Sequence, residues 1–86
     1  MAEFTVSAGE SLDLYAALGA TIGSDTIRVQ NKSPSVCYLT DGATAPTNKN
    51  DGLGLSYLKT ATNSTNDAGA FVSAFLSDAR IFAEVV

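Results

Sequence analysis

Ala68-Gly69-Ala70-Phe71-Val72-Ser73-Ala74-Phe75-Leu76-Ser77-Asp78-Ala79-Arg80-Ile81-Phe82-Ala83-Glu84-Val85-Val86 is the stretch whose reading decides the fold, because it fits two periods at once. Read as strands, residues 70–76 run into a tight Ser77-Asp78 turn. Residues 79–86 follow, with Ile81, Ala83 and Val85 on one face. Read as a helix, Ser73, Ser77, Arg80 and Glu84 line a polar stripe opposite Phe71, Val72, Phe75, Leu76, Ala79 and Ala83, with Asp67 available as N-cap. Residue types arbitrate. The β-branched and aromatic ending Ile81-Phe82-Ala83-Glu84-Val85-Val86 favours strand, since such side chains pack well on a pleated surface. Helix stays open as the alternative.

Working outward, residues 61–67 are Thr, Asn and Ser in the main and read as a polar loop. Residues 53–60 read as one strand, with Leu53, Leu55, Tyr57 and Lys59 on one side and Leu58 on the other. Residues 41–52 hold Asp-Gly twice, Pro46 and Asn48-Lys49-Asn50. They predict a long, exposed polar loop. Val36-Cys37-Tyr38-Leu39 is almost wholly apolar, as in a strand buried on both faces. Thr26-Ile27-Arg28-Val29-Gln30-Asn31 is the cleanest strand, Ile27 and Val29 facing one way and Arg28 and Gln30 the other. With the Pro34-containing turn over residues 31–35 between them, these two strands predict an antiparallel hairpin. Residues 11–18 predict a short extended piece running into one helical turn. Leu14, Tyr15 and Leu18 form its inner face, Ser11 is a candidate cap and Gly19 the terminator. Glu3-Phe4-Thr5-Val6 reads as a first strand. The fold class expected is therefore all-β: a small antiparallel β-sandwich or barrel of about six short strands, with one helical turn near residues 14–18. Eighty-six residues form a single domain, 1–86.

The composition is that of a folded chain, with 45% apolar residues and three tyrosines and four phenylalanines spread along it. Charged residues make up only 16%, against about 25% in typical soluble domains. Ser and Thr fill the space. Such a surface loses little on desolvation against a partner, which favours assembly and would also suit a plain secreted β domain. The net charge of −4 and the scattered basic residues Arg28, Lys32, Lys49, Lys59 and Arg80 argue against nucleic acid, which needs a clustered basic footprint. No apolar run approaches the roughly 20 residues of a membrane span. The first residues lack the basic and apolar regions of a signal peptide.

Absence carries most of the chemistry. Zero histidines remove Ser-His-Asp and Cys-His catalysis, and with a single cysteine they remove His/Cys zinc sites. Gly52-Leu53-Gly54 lacks the third glycine of a dinucleotide loop. Asp41, Asp51, Asp67 and Asp78 fall in predicted turns. A calcium site or a glycosidase-like acid pair is the functional reading of them. Turn capping is the simpler one, because EF-hand spacing is missing. Cys37, between Val36 and Tyr38, reads as a buried packing residue rather than a nucleophile. Tyr57, beside Leu58 and Lys59, is the aromatic expected at an exposed contact. Asn31-Lys32-Ser33 and Asn63-Ser64-Thr65 match glycosylation sequons and read as chance matches. No catalytic, cofactor or metal residue is assigned, and no cofactor is expected.

A more specific pattern lies in the order of features. Ile27-Arg28-Val29-Gln30-Asn31-Lys32 runs into a short turn and Val36-Cys37-Tyr38-Leu39. The loop Asp41-Gly42-Ala43-Thr44-Ala45-Pro46-Thr47 and a Gly-Leu segment follow, and the chain closes on Ser77-Asp78-Ala79-Arg80-Ile81. From about Ser11 onward this resembles the small β-structured virion proteins of tailed bacteriophages, of the capsid-decoration or head–tail accessory type. The resemblance implies a non-enzymatic structural protein, made in the host bacterial cytoplasm and carried on the virion. It also implies a homo-oligomer, first of all a trimer, with major capsid or tail and neck proteins as partners. Partner contacts are expected at Tyr57, Lys59, Asp41, Asp51, Val85 and Val86. The last two are apolar where a chain end is more often polar and mobile, so they either complete a central strand or dock. A carbohydrate- or receptor-binding module of a fibre or tail, using Tyr57 and the 41–52 loop, is the second reading. An enzyme working with carboxylates alone is a distant third.

Overall fold

Alternating apolar residues become strands wherever one face can be buried. The computed structural model, which describes residues 2–62 and 68–86, does this eight times among those residues. In chain order the elements are β1 (Ala2–Val6), β2 (Ser11–Asp13), the one-turn helix α1 (Leu14–Leu18), β3 (Ile27–Asn31), β4 (Cys37–Asp41), β5 (Leu53–Leu55), β6 (Thr60–Thr62), β7 (Ala70–Ala74) and β8 (Ala79–Val85). They form two antiparallel sheets, ordered β1-β8-β3-β6 and β2-β7-β4-β5. The thinnest dimension of the molecule, 17 Å, admits two sheets packed about 10 Å apart and no third layer. The expected all-β sandwich is what forms, open at its edges rather than closed into a barrel.

The core sits between the sheets. Val6, Ile27, Val29, Ala79, Ile81 and Ala83 come from one sheet; Cys37, Leu39, Leu55, Ala70, Val72 and Ala74 from the other. Two of the four inner strands, β8 and β7, present mostly alanines inward, which leaves room for the larger side chains of the other two, β3 and β4. Helix α1 adds Leu14 and Tyr15, and the Tyr15 hydroxyl donates to the Asp25 carbonyl oxygen at 2.8 Å. Its N-cap is Asp13, whose carboxylate accepts from Ala16 N–H, rather than the expected Ser11, which lies in β2. Gly19 ends the helix in the left-handed conformation, as expected.

Pairing departs from the expected hairpins. β3 pairs with β8 and β6, whereas β4 pairs with β7 and β5, so consecutive β3 and β4 lie in different sheets. The same holds for β7 and β8. The C-terminal stretch is thus two strands, and it is neither a hairpin nor a helix. The expected strand over residues 53–60 is likewise two strands, β5 and β6, in opposite sheets. The registers explain the pattern. Val6 is paired with Ala79, Asn31 with Ile81, Cys37 with Ala74 and Leu55, and Thr60 with Gln30. The connections 7–10, 32–36, 56–59 and 75–78 therefore gather at one end, and each carries the chain from one sheet to the other. We call this the crossover end. Residues 61 and 62 belong to β6 rather than to the expected loop. Asp67 and the Asn63 sequon lie outside the described residues.

One side chain ties the crossover end together. Asn31 is fully buried and makes every hydrogen bond its amide allows. Its Nδ2 donates to the carbonyl oxygens of Ser35 (2.8 Å) and Leu55 (2.7 Å), and its Oδ1 accepts from Ser33 N–H (2.9 Å) and Ser33 Oγ–H (2.8 Å). Its backbone N–H donates to Lys59 O, and its carbonyl accepts from Leu58 N–H. Ser33 Oγ in turn accepts from Arg80 N–H at 3.2 Å. Two of the four crossings, 32–36 and 56–59, are thereby held by Asn31, and Ser33 ties the first of them to β8. Asn31→Ala removes four hydrogen bonds and strands buried carbonyls and an N–H, so it is expected to destabilise the fold by about 3 kcal/mol. Urea titration checks this: the midpoint falls while the slope stays unchanged.

Candidate functional site

β7 stops at Ala74, because there the chain must leave one sheet for the other. Ala74 N–H donates to Glu10 O, and Ala74 O accepts from Gly9 N–H. Phe75 and Leu76, which continue the apolar pattern in sequence, therefore fall in the crossing and not in the core. Leu76 is 83% exposed and Phe75 41%. Across from them, Val36 precedes β4 and is half exposed, and Tyr38 points outward from β4. Ser35, Val36, Tyr38, Phe75, Leu76 and Ser77 line a groove of about 140 Å3. No charged side chain lines it. Expected burial of the 36–39 segment on both faces is thus corrected. Cys37 and Leu39 are buried, while Val36 and Tyr38 face this groove.

The next crossing adds Tyr57 and Leu58, both exposed. Leu58 adopts a left-handed φ of 65°, a strain of about 1 kcal/mol for a residue with a β-carbon. The conformation is held by Leu58 N–H donating to Asn31 O and by Gln30 Nε2 donating to Leu58 O. The Asn31 clasp thus also fixes how Tyr57 is presented. Lys59 is exposed in the same turn.

The six expected contact residues divide between the two ends. Tyr57 and Lys59 lie at the crossover end. Asp41 and Asp51 flank the 42–52 connection at the far end, with Asp41 closing β4 instead of sitting in a turn. Val85 pairs with Ile27, also at the far end, and Val86 N–H donates to Thr26 O at 2.8 Å. β8 is a central strand, so Val85 completes it, while both valine side chains remain exposed. Sequence reasoning missed Val36, Phe75 and Leu76. The only signal for them was the Ser77-Asp78 turn, which read as beginning two residues too late.

The 42–52 connection does more than extend into solvent. Lys49 Nζ donates to Pro46 O (3.0 Å) and to Ser11 Oγ (3.1 Å), and Ser11 Oγ lies 2.7 Å from the buried Ser73 Oγ. Lysine pins the loop across the outer face of the second sheet, over β2. Gly52 closes the loop where a β-carbon would come within 2.5 Å of Leu39 O, so only glycine fits. The loop reaches over β2 through Lys49 and enters β5 at the far end, whereas Tyr57 follows β5 at the crossover end.

Most polar chemistry is committed locally. Asp78 accepts from Ala8 N–H, Asp25 from Thr21 N–H, and Glu84 pairs with Arg28 on the outer face of the first sheet. Among the described residues, no three His, Cys, Asp or Glu side chains stand together as a metal site would need. Among them, too, no helix is long and apolar enough to cross a membrane. The Asn31 sequon is inaccessible, its amide being buried and doubly engaged. No protein-family model, no curated protein and no solved structure matches this chain.

Cys37 is fully buried, and burial, partly offset by a backbone hydrogen bond, pushes its thiol from an ordinary 9.0 up to about 11. The folded chain keeps a proton that the unfolded chain releases. The resulting stability is fully present below pH 9 and is lost as pH rises toward 11, at no more than about 1.4 kcal/mol per pH unit. Urea unfolding at pH 8, 9, 10 and 11 is expected to show a shallower decline for Cys37→Ala than for the wild-type chain. Parallel declines would remove this role.

Proposed function

We propose that this chain is a non-enzymatic structural subunit of tailed-bacteriophage virions, a capsid-decoration or head, neck or tail accessory protein. It acts by docking on capsid or tail proteins and by self-association. The observation that carries the reading is the crossover end. There the fold holds Val36, Phe75, Leu76, Tyr57 and Leu58 exposed, in a chain where Asp13, Asp25 and Asp78 serve caps and turns and Lys49 pins a loop. A partly apolar surface around a groove lined by no charged side chain suits contact with another protein surface. The assignment to virions, and to assembly in the host cytoplasm, rests on the resemblance in the sequence. The glycan- or receptor-binding alternative is weakened in its original form, since Tyr57 and the 42–52 loop do not share a site.

Light scattering behind a sizing column, over a range of loading concentrations, tests the proposal. The expected mass is a small multiple of 8.9 kDa, with three copies the first expectation. A mass of one copy at every concentration, with no binding to phage capsids or tails, would sink it, and glycan-array screening would then take precedence.

A further inference from the structure

We infer that the Asp51–Gly52 peptide is a self-modification site, where the backbone rearranges through a succinimide to isoaspartate and loosens the 42–52 loop. The inference stands on this loop alone and goes beyond the assembly reading. In the first step the Gly52 backbone nitrogen attacks the side-chain carboxyl carbon of Asp51. A C–N bond forms there, the carboxyl hydroxyl leaves as water with the amide proton, and a five-membered ring closes. Water then opens the ring at the backbone carbonyl carbon, so that the chain runs on through the Asp51 side chain. One water leaves and one returns, and no oxidant, reductant or enzyme takes part.

The reaction is favoured where glycine follows aspartate, because no side chain then shields the attacking nitrogen. Asp41-Gly42 and Asp51-Gly52 are the two such pairs, and no asparagine precedes a glycine. The fold separates the two. Asp41 is the last residue of β4, paired with Ala70, and Gly42 N–H donates to Gly69 O at 3.0 Å. Attack at that site requires the hydrogen bond to break and the strand end to open. Asp51 instead ends the turn that begins at Asn48, its N–H donating to Asn48 O at 3.1 Å, and lies outside any strand. Both Asp51 and Gly52 are exposed. Among the described residues, neither the Asp51 carboxylate nor the Gly52 N–H has a hydrogen-bond partner. The close approach of Gly52 to Leu39 O admits no β-carbon, so the residue this turn needs for packing is also the one that leaves the bond reactive.

Rearrangement adds one carbon to the main chain just where the loop enters β5. The Asp51 carbonyl, which accepts from Thr40 Oγ at 3.3 Å, becomes a free carboxylate, and the loop is left pinned through Lys49.

The test holds the full chain for several weeks at 37 °C and pH 6, then maps its peptides by liquid chromatography with mass spectrometry. Isoaspartate keeps the mass and shifts the retention, and the succinimide is lighter by one water. Isoaspartate is expected at Asp51 about fivefold faster than at Asp41, with the two rates converging in urea. Asp51→Glu keeps the charge but demands a six-membered ring, and it is expected to stop the reaction at this position. Asp41 keeping pace with Asp51 in the folded chain, or Asp51 unchanged in it, overturns the site. A gap between the two that persists in urea overturns the part assigned to the fold. Trypsin reads the consequence: cleavage after Lys49 is expected about threefold faster in the isomerised fraction, and equal cleavage overturns the loosening.

Discussion

The buried amide of Asn31 is the constraint on which the rest of this structure depends. A sandwich whose strands alternate between sheets must turn its chain through the gap between them again and again. Each passage brings peptide groups to the rim of the core, where they would lie buried and unpaired. Asn31 resolves this at the end of β3. It supplies two donors to the carbonyls of Ser35 and Leu55 and two lone pairs to Ser33. An apolar residue at this position would fit the inward row formed by Ile27 and Val29. It would leave Ser33 N–H and the carbonyls of Ser35 and Leu55 without these partners, and only the backbone bonds of residue 31 and the Gln30 side chain would still hold the Leu58 turn.

The same clasp links fold to surface. Fixing the 32–36 crossing sets where Val36 emerges, and fixing the 56–59 crossing sets Tyr57. The remaining two crossings are bound to each other through Gly9, Glu10 and Ala74, and through Asp78 to Ala8. The 75–78 tip that carries Leu76 is therefore anchored at both sides. Exposed apolar residues on a mobile loop would collapse onto the nearest core. Here the backbone hydrogen bonds hold them out, so presentation to a partner requires little further ordering.

Much of this was legible in the residues. The alternation of Ile27 and Val29 with Arg28 and Gln30 located β3 and its faces. The β-branched ending located β8, and Gly19 marked where α1 stops. The pairing was not legible, and the reason is physical. A connection of four or five residues between two alternating strands suits a hairpin within one sheet and an arch between two sheets equally well, because periodicity reports one strand's faces and not its neighbour. The discriminating feature, an asparagine whose side chain points inward, is written with the same letter as an ordinary turn residue. Phe75 and Leu76 extended the β7 pattern without a break, so their exposure followed only from where the chain changes sheets. The division of the expected contact residues was not legible for the same reason: Tyr57 and Lys59 lie at the crossover end, and Asp41, Asp51, Val85 and Val86 at the other.

The central claim is that the Asn31 side chain holds the crossover end in place. Amide hydrogen exchange followed by NMR on the Asn31→Ala chain beside the wild type addresses it most directly, since every backbone N–H reports separately. The account predicts faster exchange in the variant at residues 33–36 and 55–59, whose carbonyls and N–H groups Asn31 and Ser33 engage, beyond the change at residues 41–52. Equal protection of the two crossings in both chains would contradict it.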